Sequence, residues 1–308
     1  MDDSTAAYFP KLDNARHQIP AIPKALAAFG LALALAGCIS LPETTPINFK
    51  ALESSVNVAG SQLFKPAGRD AGAGPFPAVV LLHTCGGMGS AIYDWRVRLN
   101  DAGYTVLMVN SHLPRRVGNN CQGPLSAVSI DDVAADAAHA IAYLRSRADV
   151  RGDRIAIMGF SQGAMVGLRL TSAAYQARIK LGVRGLKAVV AYYPKCTALG
   201  MLYPSPMSEN LRFDLKSPTL MFLGRKDDDT PWQQCANPAD RMIAAGRPLR
   251  YKIYENATHA FDSRYNGAGR YVTHGSRGQF FYRYDEAATR NSWRRARAFL
   301  DLHLKAGK

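Results

Sequence analysis

Ile155-Ala156-Ile157-Met158-Gly159-Phe160-Ser161-Gln162-Gly163 is the stretch on which the reading of this chain turns. Four apolar residues form a run short enough for a strand buried on both faces. A helical pattern begins at Gln162. A serine on so tight a strand-to-helix turn is lifted clear of the sheet, and crowding at the turn calls for glycine two residues to either side. Gly159 and Gly163 meet that demand. A lone hydroxyl is a weak nucleophile, so a base must take its proton and an acid must orient the base. On a scaffold of this kind the three follow in the order serine, acid, histidine, each just past a strand.

Outward from this stretch, the chain alternates strands with helices. Strands are expected at Ala78–Leu82, Thr105–Val109, Ile155–Met158, Lys187–Tyr193, Thr219–Leu223 and Arg250–Tyr254. The first five are almost continuous in Val, Leu, Ile and Met, the pattern of strands covered on both faces. Ser129–Arg147 reads as a helix with a serine cap, Asp131 and Asp132 in its first turn and arginines in its last. Its Val133, Ala137, Ala140, Ile141 and Leu144 share one stripe. A second long helix, Asp285–Leu304, closes the chain. Such alternation implies an α/β fold with a mostly parallel sheet, its ligand site beyond the carboxyl ends of the strands.

Both later placements are filled. Thr219–Leu223 runs into Gly224-Arg225-Lys226-Asp227-Asp228-Asp229-Thr230-Pro231, and Arg250–Tyr254 into Glu255-Asn256-Ala257-Thr258-His259-Ala260-Phe261-Asp262. Asp227 is the candidate acid and His259 the candidate base. Asp228 and Asp229 read as a solvated loop or a cap for the next helix. His83 reads as a structural residue, and His112, His139, His274 and His303 show no partner pattern. The segment Ser263–Tyr284, rich in Gly, Arg and aromatics, follows the candidate base and reads as a pocket wall or a lid.

With these residues in hand, residues 57–305 resemble the dienelactone hydrolase family of the α/β-hydrolase superfamily. The resemblance is carried by the Ser161 turn, the Gly-x-x-Asp-Asp-x-Thr-Pro stretch 224–231, His259-Ala260-Phe261-Asp262, and His83-Thr84-Cys85-Gly86-Gly87. It implies an α/β-hydrolase fold with helices on both faces of the sheet, and hydrolysis of carboxylic esters without a cofactor. It further implies Ser161 as nucleophile, Asp227 as acid, His259 as base, and an oxyanion hole from the backbone N–H groups of Cys85 and Gln162. Dienelactone hydrolases proper carry cysteine at the nucleophile and an acidic residue where Thr84 stands, so a general ester is the expected substrate. A peptidase of the prolyl-oligopeptidase type shares this core, and a non-catalytic envelope lipoprotein could use it as a binding scaffold.

The chain has 308 residues, 47% apolar and 20% charged, which excludes a wholly disordered, collagenous or coiled-coil protein. The apolar run Ala25–Ala36 is too short to span a bilayer but suits the core of a signal peptide. Leu35-Ala36-Gly37-Cys38 is similar to a bacterial lipobox, which implies removal of residues 1–37 and lipidation of Cys38. Ile39 after that cysteine implies sorting to an outer membrane, facing the periplasm; a soluble periplasmic or secreted protein is the alternative. The expected organisation is then a signal peptide 1–37, a tether 38–50 and one domain 51–308. Cys85, Cys121, Cys196 and Cys235 form an even set that fits an oxidising compartment. Of the three possible pairings, Cys85–Cys121 and Cys196–Cys235 would place both bridges in loops at one end of the sheet. Without a Cys-x-x-Cys or His-Glu-x-x-His pattern, no metal is expected. The net charge of +14 favours anionic partners. Arg264, Arg115 and Arg116 are candidates for contacting an anionic substrate group, against the plainer reading of solvated arginines or of attraction to anionic lipid. No nucleic-acid module is recognised.

Overall fold

Continuous apolar runs and one-sided helices can bury their surface only by stacking, and the chain does so in three layers. The computed structural model describes residues 45–46, 60–66, 74–121, 127–196 and 210–306. The expected signal peptide and Cys38 lie outside the described residues, as does the expected tether apart from Thr45 and Pro46.

The strands are β1 Thr45–Pro46, β2 Gln62–Phe64, β3 Phe76–Leu82, β4 Thr105–Val109, β5 Val150–Phe160, β6 Leu186–Tyr192, β7 Thr219–Gly224 and β8 Leu249–Tyr254. They form one sheet in the order β1-β2-β4-β3-β5-β6-β7-β8. From β4 to β8 every pairing is parallel, while β2 runs antiparallel to β4 and β1 antiparallel to β2. Each of the six expected strands is present to within a few residues. The edge strands β1 and β2 were not anticipated. They are too short to show a period, and they form because β4 would otherwise leave a row of unpaired backbone groups.

Helices cover both faces. Alternate residues of β3, Val80 and Leu82, pack with α2 Ile130–Ser146, α3 Gln162–Leu170, α4 Ala173–Ile179 and α5 Gln233–Ala244. The intervening Val79 and Leu81 pack with α1 Ser90–Asp101 and α6 Glu286–Leu304. Helix α2 starts where its sequence demands. The Ser129 hydroxyl accepts from Asp132 N at 3.1 Å, and the Asp132 carboxylate accepts from Ser129 N at 2.9 Å. A second sheet is the hairpin of β9 Arg270–Thr273 and β10 Gln279–Tyr282, drawn from the segment after His259.

Register fixes the working end. Leu82 pairs with Val109 and with Gly159, and Gly159 pairs with Ala191. The carboxyl ends of β3 to β6 are therefore level, and the loops that follow them share one rim. One of these loops is tied to α2: Arg115, just past β4, donates to both oxygens of the fully buried Asp136 at 2.7 and 3.1 Å and to Ser111 O at 2.8 Å. Removing one member of a buried pair strands the other charge. We expect Asp136→Ala to lower stability in urea denaturation by about 3 kcal/mol, at the low end for such pairs because Arg115 keeps some contact with solvent.

Candidate active site

Ser161 caps the amino end of α3 with φ 49° and ψ −109°, a conformation rarely adopted by a residue with a side chain. Its N–H donates to Tyr192 O at 3.0 Å, which anchors the turn to the neighbouring strand. The flanking glycines are sterically required. A Cβ on Gly159 would sit 2.2 Å from Gly163 O, and one on Gly163 would sit 2.5 Å from Leu82 O. Both obstacles are backbone, so neither can swing aside.

The other two side chains arrive from the loops after β7 and β8. Gly224 lets these loops touch, since a Cβ there would lie 2.5 Å from Ala257 O. His259 Nδ1 stands 2.8 Å from Asp227 Oδ2, and its Nε2 stands 3.1 Å from Ser161 Oγ. Asp227 is fixed in turn: its Oδ1 accepts from Thr230 N at 2.7 Å and Asp229 N at 3.1 Å, and the Thr230 hydroxyl lies 2.8 Å from Oδ2. All three members of the array are buried. Burial by itself would push the His259 pKa down; the charge and hydrogen bond of Asp227, then the charges of Asp229 and Asp262, outweigh it and hold the pKa above 6.5.

Beside the array lies the expected oxyanion loop. Gly163 N donates to His83 O at 3.1 Å, which brings the amino end of α3 against residues 83–87. Among the described residues, the N–H groups of Cys85 and Gln162 have no protein acceptor. Cys85 is bonded to Cys121 and its carbonyl accepts from Asn120 N at 2.8 Å, so this loop is clasped to the one after β4. Cys196 is bonded to Cys235, which ties the loop after β6 to α5. Both pairings are those favoured from the sequence.

Residues 64–304 match the model of the dienelactone hydrolase family. The chain belongs to the dienelactone hydrolase family. It is thereby a carboxylic ester hydrolase by descent. A Bradyrhizobium protein named "Probable 2-oxo-3-(5-oxofuran-2-ylidene)propanoate lactonase" is 26% identical over 239 residues, which cover 75% of this chain and 86% of that one. The α/β hydrolase MGS-M1, from a Medee basin deep-sea metagenome library, superposes with a TM-score of 0.60 at 14% identity, covering 86% of this chain and 98% of that chain. Thermogutta terrifontis esterase 2, solved phosphoramylated by tabun, gives 0.58 at 19% identity over 87% of this chain and 97% of that chain. These two likenesses establish the α/β-hydrolase fold.

Within this family member, the remaining sequence-predicted residues fall in several places. Arg115 commits its forked face to Asp136, which corrects its reading as a substrate contact. Arg116 is exposed at a left-handed turn, φ 55°. Arg264 is also exposed, its charge stabilised first by the Tyr284 hydroxyl. His83 accepts from Ser111 N at 3.3 Å through Nε2 and contacts Thr84 O at 2.6 Å through Nδ1, so it joins the ends of β3 and β4. Burial, then the nearby His112, brings its pKa down to about 4. Asp229 is neither solvated nor a helix cap. It is buried against Tyr282, His274 and Arg277, all from the segment 263–284. That segment is a wall of the site: Tyr282 bridges His259 through the backbone, and its ring centre lies 5.1 Å from the imidazole. Tyr193 was missed as well. It takes φ 39° at the end of β6 and meets the His259 ring edge-on at 4.7 Å. Its hydroxyl donates to Asp262, as does the Trp95 indole.

Opening the Cys85–Cys121 clasp should loosen the loop that carries the Cys85 N–H. Cys121→Ser is expected to lower stability by about 2–4 kcal/mol, the usual range for a lost disulfide. Steady-state kinetics should show the loss in kcat with KM nearly unchanged.

Proposed function

We propose that this chain is an exported serine hydrolase that cleaves carboxylic esters through an acyl-enzyme. The observation that carries the reading is the continuous array from Ser161 Oγ to His259 Nε2 at 3.1 Å and from His259 Nδ1 to Asp227 at 2.8 Å.

In this reading the Ser161 oxygen attacks the ester carbonyl while His259 Nε2 takes the hydroxyl proton. Asp227 holds the imidazole in orientation and stabilises the imidazolium. The carbonyl electron pair moves onto oxygen, which the N–H groups of Gln162 and Cys85 receive. Each such donor lowers the barrier by about 3–4 kcal/mol in comparable sites. The oxyanion then collapses, the C–O bond to the alcohol breaks, and His259 returns its proton to the leaving oxygen. Water repeats the sequence on the acyl group and frees the acid and Ser161. Serine as nucleophile and Thr84 in the oxyanion loop favour general esters or lactones over the dienelactone itself.

The address is a separate part of the proposal. Two disulfides at the rim support an oxidising compartment. The apolar run Ala25–Ala36 before Leu35-Ala36-Gly37-Cys38 supports an exported protein anchored by a lipid on Cys38, with residues 1–37 as its signal peptide and 51–308 as its domain.

Hydrolysis of p-nitrophenyl acetate and butyrate, with a peptide p-nitroanilide in parallel, tests the reaction class. Esters should turn over and the amide should not. Ser161→Ala should lower kcat by at least about 1,000-fold and abolish labelling by a fluorophosphonate; labelling that survives this change would remove Ser161 from the mechanism. Only neutral His259 can accept the proton, and its pKa is raised. The acidic limb of kcat/KM should therefore lie above pH 6.5, with activity rising as pH increases through it.

A further inference from the structure

The proton that leaves Ser161 arrives at Nε2 of His259, and a second carboxylate faces that nitrogen. Asp229 Oδ2 lies 3.9 Å from Nε2, too far for a hydrogen bond and close enough for strong Coulombic attraction. Nε2 therefore stays free to bond Ser161. Asp229 does not reach this position by itself. Its Oδ2 accepts from the Tyr282 hydroxyl at 2.7 Å and stands 3.0 Å from His274 Nδ1, and its Oδ1 accepts from Arg277 at 3.1 Å. All three partners belong to the β9–β10 hairpin or its tip. The hairpin thus sets the distance between this carboxylate and the base.

Asp227, an imidazolium at His259 and Asp229 would together leave one buried negative charge. Arg277, one third exposed, supplies the compensating positive charge. Other polar groups around the imidazole are Thr230, whose hydroxyl lies 3.1 Å from Nδ1, Tyr193 just past β6, Asp262 from its own loop and Tyr282 from β10. Lys195, from the loop after β6, faces Arg277 and Asp229. Asp229 itself is held ionised. Burial would raise its pKa, but the His274 contact, the His259 charge and the Tyr282 hydroxyl together keep it well below the usual carboxylate range.

We propose that Asp229, clamped by the β9–β10 hairpin, is a second positioning carboxylate for His259, stabilising from the Nε2 side the imidazolium that Asp227 stabilises from the Nδ1 side. This rests on the hydrolytic reading above and adds to it that the segment after the base tunes the base.

The test is the pH profile of kcat/KM on a neutral ester, p-nitrophenyl acetate, for two opposed variants. Asp229→Asn removes a negative charge, so the acidic limb should move down by on the order of one pH unit. The plateau kcat should fall by on the order of tenfold. Arg277→Gln removes the counter-charge, so the limb should move up. Opposite displacements support the proposal. Loss of activity in both variants with the limb unmoved would mean that the hairpin is only a brace, and would overturn it. Should Asp229→Asn fail to fold, the upward shift in Arg277→Gln decides alone, and its absence overturns the proposal. His274→Asn alone assigns the limb: an acidic limb that disappears with this change belongs to His274, and the proposal falls, whereas a limb that survives belongs to His259. Ser161→Ala separates the two levels, because activity that persists in it defeats the hydrolytic reading, whereas an unmoved limb with Ser161-dependent activity defeats this inference alone.

Discussion

Burial alone would strip the proton from His259, since a charged imidazole loses its hydration inside the protein. Asp227, 2.8 Å away, reverses that tendency, and much of the surrounding structure serves to keep the two in contact. The acid and the base lie in loops after different strands, 32 residues apart in the chain. They meet because β7 and β8 are adjacent and parallel and because Gly224 has no side chain to hold the loops apart. Two backbone N–H groups and a threonine hydroxyl then fix the carboxylate. The sheet supplies level strand ends, and the loops supply groups that chemistry can use.

The site stores strain, and its surroundings hold that strain in place. Ser161, Tyr193 and Ala260 all have positive φ, and all lie in or beside the array. Each such residue costs on the order of 1–3 kcal/mol. Beneath them, Trp95, Phe160, Tyr192, Phe222, Tyr254 and Phe261 form a buried aromatic cluster between the sheet and helices α1 and α6. Truncating one such ring costs about 3–5 kcal/mol, so the cluster is stiff enough to offset the unfavourable turns above it. Asp262 links the two layers. It is buried and takes hydrogen bonds from Trp95 and Tyr193, so the tyrosine that packs on His259 is fixed to the core.

Local pattern carried much of this. The Ser161 turn, the strand before it, and the Asp227 and His259 loops are short-range features with strong steric or chemical requirements, and each is where the sequence places it. Partners distant in the chain were not legible. Asp229 reads as a loop residue until a hairpin 45 residues later closes over it. Arg115 reads as a free cation because its partner is on another element, yet a signal was present. Asp136 lies three residues from Val133 and four from Ala140, on the apolar stripe of α2, and a carboxylate on a buried stripe needs a cation. Edge strands β1 and β2 are set by the unpaired side of β4 rather than by their own composition.

The disulfides connect the chemistry to the proposed address. The rim of the site is mostly irregular chain, which has few backbone ladders to hold it. Cys85–Cys121 clasps the loop bearing one expected oxyanion donor, and Cys196–Cys235 clasps the loop that follows Tyr193 and carries Lys195. Oxyanion stabilisation depends on donors that are already in place when charge develops, because reorganising them would consume the benefit. In a compartment that keeps thiols reduced, both clasps would be open and the Cys85 donor would lose its covalent tether. The proposed export and the proposed mechanism are therefore linked: an oxidising compartment keeps the loop that bears the Cys85 donor clasped.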